Sequence, residues 1–118
     1  MPAGEVRDTT SPASMIRDLQ ALLLEPKALY EPSRQRLTTW LVANTTGNER
    51  LRAGLPKDWR VGDKTGTGPH NATNDVAIAW PPNRPPVIVA AYFWGSKAPQ
   101  ADLNRALADV GRIVAANL

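Results

Sequence analysis

The spacing of apolar residues is helical at both ends of this 118-residue chain and strand-like between about residues 59 and 94. A first helix is predicted from a cap at Thr10 or Ser11 to Pro26, with an apolar face of Met15, Leu19, Leu22 and Leu23. A second helix is predicted from about Pro32, with one side formed by Leu37, Trp40 and Leu41. It should end at residues 44–47, where Gly47 can adopt a left-handed conformation. A short helical turn over residues 49–53 follows.

Three strands are predicted in the middle of the chain. Trp59 and Val61 alternate with polar neighbours up to Lys64, and a second strand alternates through Val76, Ile78 and Trp80. Residues 87–94 are almost continuously apolar, which is typical of a strand covered on both faces. The proline-rich residues 81–86 must form a loop, because proline cannot donate to a strand ladder. The last helix begins near Pro99 and has an apolar stripe of Leu103, Leu107, Val110 and Val114.

This order predicts an α/β fold of the α+β type, with three antiparallel strands and flanking helices. We expect residues 1–118 to form a single incomplete domain: residues 8–54 are its helical part, and residues 57–118 hold the strands and the C-terminal helix. The domain is expected to be incomplete because an apolar strand over residues 87–94 needs neighbours that the chain does not obviously supply.

Composition excludes several classes of function. The net charge is +3, but basic and acidic residues are interspersed, so no nucleic-acid partner is expected. The absence of cysteine rules out disulfides and cysteine nucleophiles, and no apolar run is long enough to cross a membrane. Residues 1–5 have no cationic or apolar character of a secretory signal, so the chain made as given is expected to stay in the cytoplasm.

Lys64-Thr65-Gly66 is the most informative short motif, and it is accompanied by others. Asp8-Thr9-Thr10-Ser11-Pro12 precedes the first helix, residues 44–50 read Asn-Thr-Thr-Gly-Asn-Glu-Arg, and Thr73-Asn74-Asp75 follows on the next strand. This series closely resembles the C-terminal part of the class A serine β-lactamases, from the end of the Ω-loop to the last helix. The resemblance implies a partial β-lactamase/transpeptidase-like fold and a β-lactam antibiotic as ligand. A complete family member would be periplasmic or secreted.

The resemblance also implies roles for five substrate-binding residues, which we call the ligand wall: Lys64, Thr65, Gly66, Thr67 and Arg50. The Lys64 ammonium would favour an anionic substrate, and the hydroxyls of Thr65 and Thr67 would hydrogen-bond its carboxylate. Gly66 would let the substrate lie close to the backbone, and the Thr67 N–H would be one oxyanion donor. Arg50 would be the carboxylate-binding arginine that other members carry at the position of Thr73.

Three further residues would be structural by the same resemblance. Asp8 would close the Ω-loop, while Asp63 and Asp75 would flank the motif.

Each residue of the ligand wall also has an ordinary interpretation. Lys64 could be a solvated lysine at a strand end, Arg50 could lie on a helix surface, and the threonines could be plain strand residues. His70, the one histidine, is expected to be exposed in a turn.

The nucleophile of the family is not found in these 118 residues. None of the serines begins a Ser-x-x-Lys motif, and neither Ser-Asp-Asn nor Glu-x-x-x-Asn occurs. The resemblance implies a serine β-lactamase, which would act without a metal or organic cofactor. We expect no catalytic residue in it and no hydrolysis by it alone.

Two other functions stay open. The chain could be a non-catalytic remnant or binding module, for β-lactam-like carboxylates or for a complementary N-terminal β-lactamase fragment. It could also be related to penicillin-binding transpeptidases, although Asp8-Thr9-Thr10 and Arg50 argue against this.

Overall fold

A computed structural model describes residues 9–118, and its elements follow the predicted order. They are α1 (Pro12–Leu23), α2 (Glu31–Val42), α3 (Leu51–Gly54), β1 (Arg60–Gly68), β2 (Ala72–Trp80), β3 (Val87–Phe93) and α4 (Gln100–Ala116). The strands form one antiparallel sheet in the order β1-β2-β3. The predicted fold class is therefore confirmed.

Helices cover both faces of this sheet. On one face, α1 and α2 enclose a core that contains Leu19, Leu23 and Ile78. On the other face, α3 and α4 pack on a core of Leu51, Leu55, Val61, Ala77 and Ala79. Side chains alternate between the faces of a strand, so neighbouring residues 77, 78 and 79 of β2 supply both cores. The second strand is consequently the most buried of the three.

Local sequence explains where α1 and α4 begin. The Ser11 side chain caps α1 by accepting the Ser14 N–H at 3.1 Å, and Pro12 occupies the first helical position. Pro99 stands immediately before α4, whose Leu103 and Leu107 are buried as the apolar stripe predicts. At Gly54 of α3, an added Cβ would lie 1.8 Å from the carbonyl oxygen of Ala108. This close approach fixes the short helix against α4.

Two predictions for the second helix are wrong. The indole of Trp40 is 65% exposed, because only Leu37 and Leu41 of that segment pack on the sheet. Gly47 does not have a positive φ angle. Glycine is required there because it has no side chain: a Cβ would lie 1.7 Å from Oδ2 of Asp63. The glycine therefore brings the loop after α2 against β1.

The turn between β1 and β2 has the backbone expected for a tight hairpin. His70 and Asn71 have φ angles of 57° and 58°, and the Ala72 N–H donates to the Pro69 carbonyl at 3.1 Å. His70 is exposed, as predicted, and its ring lies 5.3 Å from that of Trp94, which follows β3.

Strand β3 is an outer strand of the sheet in the described part of the chain. All seven of its residues are half-buried, with α1 on one face and α4 on the other. The prediction that both faces are covered is therefore confirmed only in part. Strand β1 forms the opposite edge of the sheet.

Candidate functional site

The predicted ligand wall lies on the edge strand β1, and strand alternation divides it between two faces. Thr65 is paired with Asp75 and Thr67 with Thr73, so both threonines lie on the face of α3 and α4. Lys64, paired with Val76, lies on the opposite face. Its side chain is exposed, and its ammonium donates to the carbonyl oxygen of Thr65 at 2.5 Å. The two threonines are thus adjacent on one surface, while Lys64 reaches only the Thr65 carbonyl from the opposite face.

Arg50, at the start of α3, is a buried member of the wall. Its side chain crosses under β1 and makes four hydrogen bonds. Nη2 donates to Oγ1 of Thr67 at 2.7 Å, and Nη1 donates to the carbonyls of Gly66 at 3.1 Å and Asn74 at 2.8 Å. Nε donates to Oδ1 of Asn104 at 3.0 Å. The residue is only 7% exposed, so the interpretation as a plain surface arginine is wrong.

The charge of Arg50 is not neutralised by a contacting carboxylate among residues 9–118. The ion pairs described in this part of the chain are Arg52–Asp63, Arg105–Asp102 and Arg112–Asp109. All four acceptors of Arg50 are neutral oxygens. A buried cation without an anionic partner is costly. This positive charge would favour a negative charge beside the exposed Thr67.

Thr67 is an exposed hydroxyl whose hydrogen is free for a ligand. Arginine can only donate hydrogen bonds, so Oγ1 of Thr67 is the acceptor in its contact with Arg50. Its own O–H can therefore point away from Arg50 and donate outward. Among the described residues, this places a hydroxyl donor beside a buried positive charge.

Thr65 is in a different hydrogen-bonded setting. Its Oγ1 lies 2.6 Å from Oγ1 of Thr46, in the loop after α2. Thr46 also contacts the side chain of Asn44, with its hydroxyl 2.9 Å and its N–H 3.3 Å from Oδ1. Nδ2 of Asn44 in turn donates to Oδ1 of Asp63 at 3.0 Å. A continuous chain of contacts therefore joins Thr65 to a buried carboxylate.

Asp63 and Asp75 are almost completely buried behind the threonines. Oδ1 of Asp63 accepts from Arg52 at 2.8 Å, and Oδ2 of Asp75 accepts from the Leu51 N–H at 3.1 Å. Their other oxygens, Oδ2 of Asp63 and Oδ1 of Asp75, accept no hydrogen bond from any other residue. One proton held between these two oxygens would satisfy both.

The pKa of Asp75 agrees with such a shared proton. Burial first, and then the hydrogen bond and negative charge of Asp63, raise the pKa of Asp75 to about 9. Asp75 is accordingly protonated at neutral pH, and Asp63 lies 2.8 Å from the Arg52 guanidinium. The burial of both residues is compatible with the structural roles predicted for them. Asp8, the third predicted structural residue, lies outside the described residues.

Several site residues were not identified from the sequence. Asn104 holds Arg50 from α4, more than fifty positions along the chain, and also accepts from Nε2 of Gln100 at 3.2 Å. Gln100 donates to the buried hydroxyl of Thr73 at 3.0 Å. No local pattern could connect residues so far apart. Asn44 and Thr46 belong to a motif that the sequence singled out, but its spacing gave no indication of the contact with Thr65.

Residues 9–118 contain neither a metal-binding cluster nor a membrane-spanning helix. No cluster of three or more histidine, cysteine, aspartate or glutamate side chains there could hold a metal ion. Within the same residues, no helix combines the length and apolar character needed to span a bilayer.

Comparison with known proteins identifies the family. A model of the family described as "Beta-lactamase enzyme family" matches residues 1–118. The chain belongs to this family. It is 54% identical over 90 residues to a β-lactamase of Proteus vulgaris, covering 76% of this chain and 33% of the relative. It is 47% identical over 111 residues to β-lactamase AST-1 of Nocardia asteroides, covering 94% of this chain and 36% of the relative.

Solved structures agree with the class predicted from the sequence. The chain superposes on an ancestral (GNCA) class A β-lactamase with a TM-score of 0.96 and 52% identity, over 99% of this chain and 45% of that one. The resemblance to class A β-lactamases is thus confirmed. The chain spans about a third of the length of these curated relatives, as a C-terminal part would.

Proposed function

We propose that these 118 residues supply the ligand wall of a class A β-lactamase. In this proposal the wall binds the carboxylate of a β-lactam antibiotic, and a serine outside this sequence forms the acyl-enzyme. The complete protein would then act in the periplasm or outside the cell. The observation that carries the proposal is the buried guanidinium of Arg50, which bonds Thr67 at 2.7 Å and has only neutral acceptors.

The carboxylate would be held mainly by the Thr67 side of the wall. The Thr67 hydroxyl can donate to one carboxylate oxygen, and Arg50 behind it lowers the energy of the negative charge. The Lys64 ammonium would leave the Thr65 carbonyl and add a second positive charge from the other face of β1. Gly66 has no side chain between the strand edge and the ligand, so the Thr67 N–H could approach a developing oxyanion.

The 118-residue chain by itself is proposed to be inactive. Electrostatic stabilisation by Lys64 and Arg50 cannot replace a covalent pathway through a serine. Purified chain should therefore hydrolyse nitrocefin no faster than buffer. A rate well above buffer that disappears in Lys64→Ala would contradict this part of the proposal.

Binding without hydrolysis separates a working wall from an inert remnant. Titration with benzylpenicillin should shift the amide resonances of Gly66 and Thr67. The shifts should be lost in Thr67→Val, which removes the donor hydroxyl but keeps the side-chain shape. Thr45→Val, an exposed change in the loop after α2, is the matched control and should bind like the original chain. Unchanged spectra in the original chain would reject the wall as a binding site.

A second candidate function is docking of a complementary N-terminal β-lactamase fragment. The half-buried β3 favours it, because an outer apolar strand can accept another strand along its free edge. Mixing the chain with the N-terminal part of a class A enzyme should then restore nitrocefin hydrolysis. Ala90→Pro, in the middle of β3, should prevent the recovery, whereas Arg84→Ala in the preceding loop, which keeps the 3.3 Å bond from the residue-84 N–H to the Pro81 carbonyl, should not. No recovery with any fragment would reject this function.

A further inference from the structure

A series of hydrogen bonds runs from Asp63 through Asn44 and Thr46 to Thr65. The donor and acceptor in each bond can be assigned from the chemistry of the groups involved. Oδ1 of Asp63 already accepts from Nη2 of Arg52 at 2.8 Å, so the Asn44 atom that faces it at 3.0 Å must be the donor Nδ2. The Thr46 N–H can only donate, so Oδ1 of Asn44 must face Thr46, at 3.3 Å. Two independent neighbours therefore fix the same orientation of the Asn44 amide.

The directions of the Thr46 and Thr65 hydroxyl hydrogens follow from this orientation of the Asn44 amide. Oδ1 of Asn44 is an acceptor, so the hydrogen in its 2.9 Å contact with the Thr46 hydroxyl belongs to Thr46. A hydroxyl has one hydrogen. Oγ1 of Thr46 must therefore be the acceptor in its 2.6 Å contact with Thr65, and the Thr65 hydrogen points at Thr46. Without a ligand, Thr65 offers only lone pairs to the open side of the wall.

The two threonines of the ligand wall therefore present opposite hydrogen-bonding groups to a ligand. The Thr67 hydroxyl accepts from Arg50 and has a free hydrogen, whereas the Thr65 hydrogen is already used. A carboxylate that reaches both would be attracted by Thr67 and repelled by the lone pairs of Thr65. Thr65 can donate to it only if the Thr46 hydrogen turns from Asn44 to Thr65.

We propose that Thr46 is a specificity-determining positioning residue, whose hydroxyl is a hydrogen-bond switch that holds Thr65 in its accepting orientation until an anionic ligand binds. The inference deepens the proposed function and rests on it for the ligand. Carboxylate binding reverses two hydroxyls and releases the Thr46–Asn44 bond, so part of the binding free energy is used for the switch. Ligands that donate to Thr65 avoid this cost.

Removing the switch should strengthen the binding of a carboxylate. In Thr46→Val the Thr65 hydrogen is free, so benzylpenicillin should bind about three- to ten-fold more tightly, the equivalent of one neutral hydrogen bond. Thr46→Ser keeps the switch and should bind like the original chain, as should the control Thr45→Val. A structural role alone would give equal or weaker binding in Thr46→Val, and that result would overturn the proposal.

The Asn44 side-chain amide gives a second readout. Its ¹⁵N resonance should shift when benzylpenicillin binds to the original chain, because Asn44 loses the Thr46 hydroxyl. The shift should be absent in Thr46→Val, which has no such bond to lose. A ligand-induced shift of equal size in both proteins would also overturn the proposal. A ¹H–¹⁵N spectrum without ligand establishes that each variant is folded.

A neutron diffraction map of the ligand-free chain separates this inference from the proposed function. A deuterium on Oγ1 of Thr65 pointing to Thr46, and one on Thr46 pointing to Asn44, would support the switch. The reverse arrangement, with Thr46 donating to Thr65, would overturn it. If benzylpenicillin binds none of the proteins, the proposed function fails, and the deuterium positions still decide the direction of the hydrogen bonds.

Discussion

The two faces of the sheet are stabilised in different ways. Under α1 and α2, the core is made of leucines and Ile78, all apolar. Under α3 and α4, an apolar core gives way to buried polar groups toward the Thr67 end of β1: Arg50, Asp63, Thr73 and Asp75. Burying polar groups is costly unless their partners are complete. The comparison indicates that the buried polar groups position the side chains of the ligand wall, whereas the apolar face supplies most of the folding stability.

The largest effect is expected on the apolar face. Ile78 is 1% exposed, so Ile78→Ala should lower the free energy of unfolding by about 2–5 kcal/mol through lost burial and a residual cavity. Ile113→Ala on α4, where the side chain is 63% exposed, is the control and should change it by less than about 0.5 kcal/mol. Urea denaturation measures both. Equal effects would mean that Ile78 is not packed as described.

The next effect distinguishes the two buried aspartates. Asp63→Asn removes the charge that pairs with Arg52 and should cost about 2 kcal/mol. Asp75→Asn replaces a protonated acid with another donor and, measured at pH 5, should cost less than about 1 kcal/mol. The same urea series measures both free energies. If Asp75→Asn were the more damaging change, the proton would belong to Asp63.

The pH dependence of stability follows from the same pair. The pKa of Asp75 is raised to about 9 in the folded chain, from an ordinary value near 4 when unfolded. Between these values the folded state binds more protons than the unfolded state, so the unfolding free energy is greatest at the acidic end and decreases as pH rises. The difference in unfolding free energy between the original chain and Asp75→Asn, followed from pH 5 to 9, isolates this contribution. A constant difference would contradict the shared proton.

A smaller loss of folding stability is expected from substitution of Arg50. Lysine cannot reproduce the planar set of donors that reaches Gly66, Thr67, Asn74 and Asn104 together, so Arg50→Lys should cost about 1–2 kcal/mol. Arg105→Lys on the exposed surface of α4, where the arginine pairs with Asp102, is the control and should be nearly neutral. Thermal unfolding of the two variants compares them. Equal melting temperatures would mean that the four contacts add little.

Sequence reasoning was accurate where one local pattern determines the structure. The apolar spacing predicted the order of all seven elements, and Ser11 and Pro12 gave the start of α1. The pattern failed at Trp40 and Gly47, because exposure and close approach depend on what another element brings near.

The candidate site was only partly predictable for the same reason. Local motifs made Lys64–Thr67 and Arg50 candidates, but the partners of Arg50 come from β1, β2 and α4. The contact between Thr46 and Thr65 joins two segments nineteen positions apart. Only the folded chain brings these donors and acceptors together.

We expect Arg50, Thr67 and Thr65 to recognise a carboxylate, and benzylpenicillin can be compared with its methyl ester to test this recognition. The ester keeps the ring system and loses the negative charge. Titrations followed at the Gly66 and Thr67 amides should give at least about ten-fold tighter binding for the acid, because a charge-assisted contact is lost in the ester. Equal affinity for acid and ester would contradict the account.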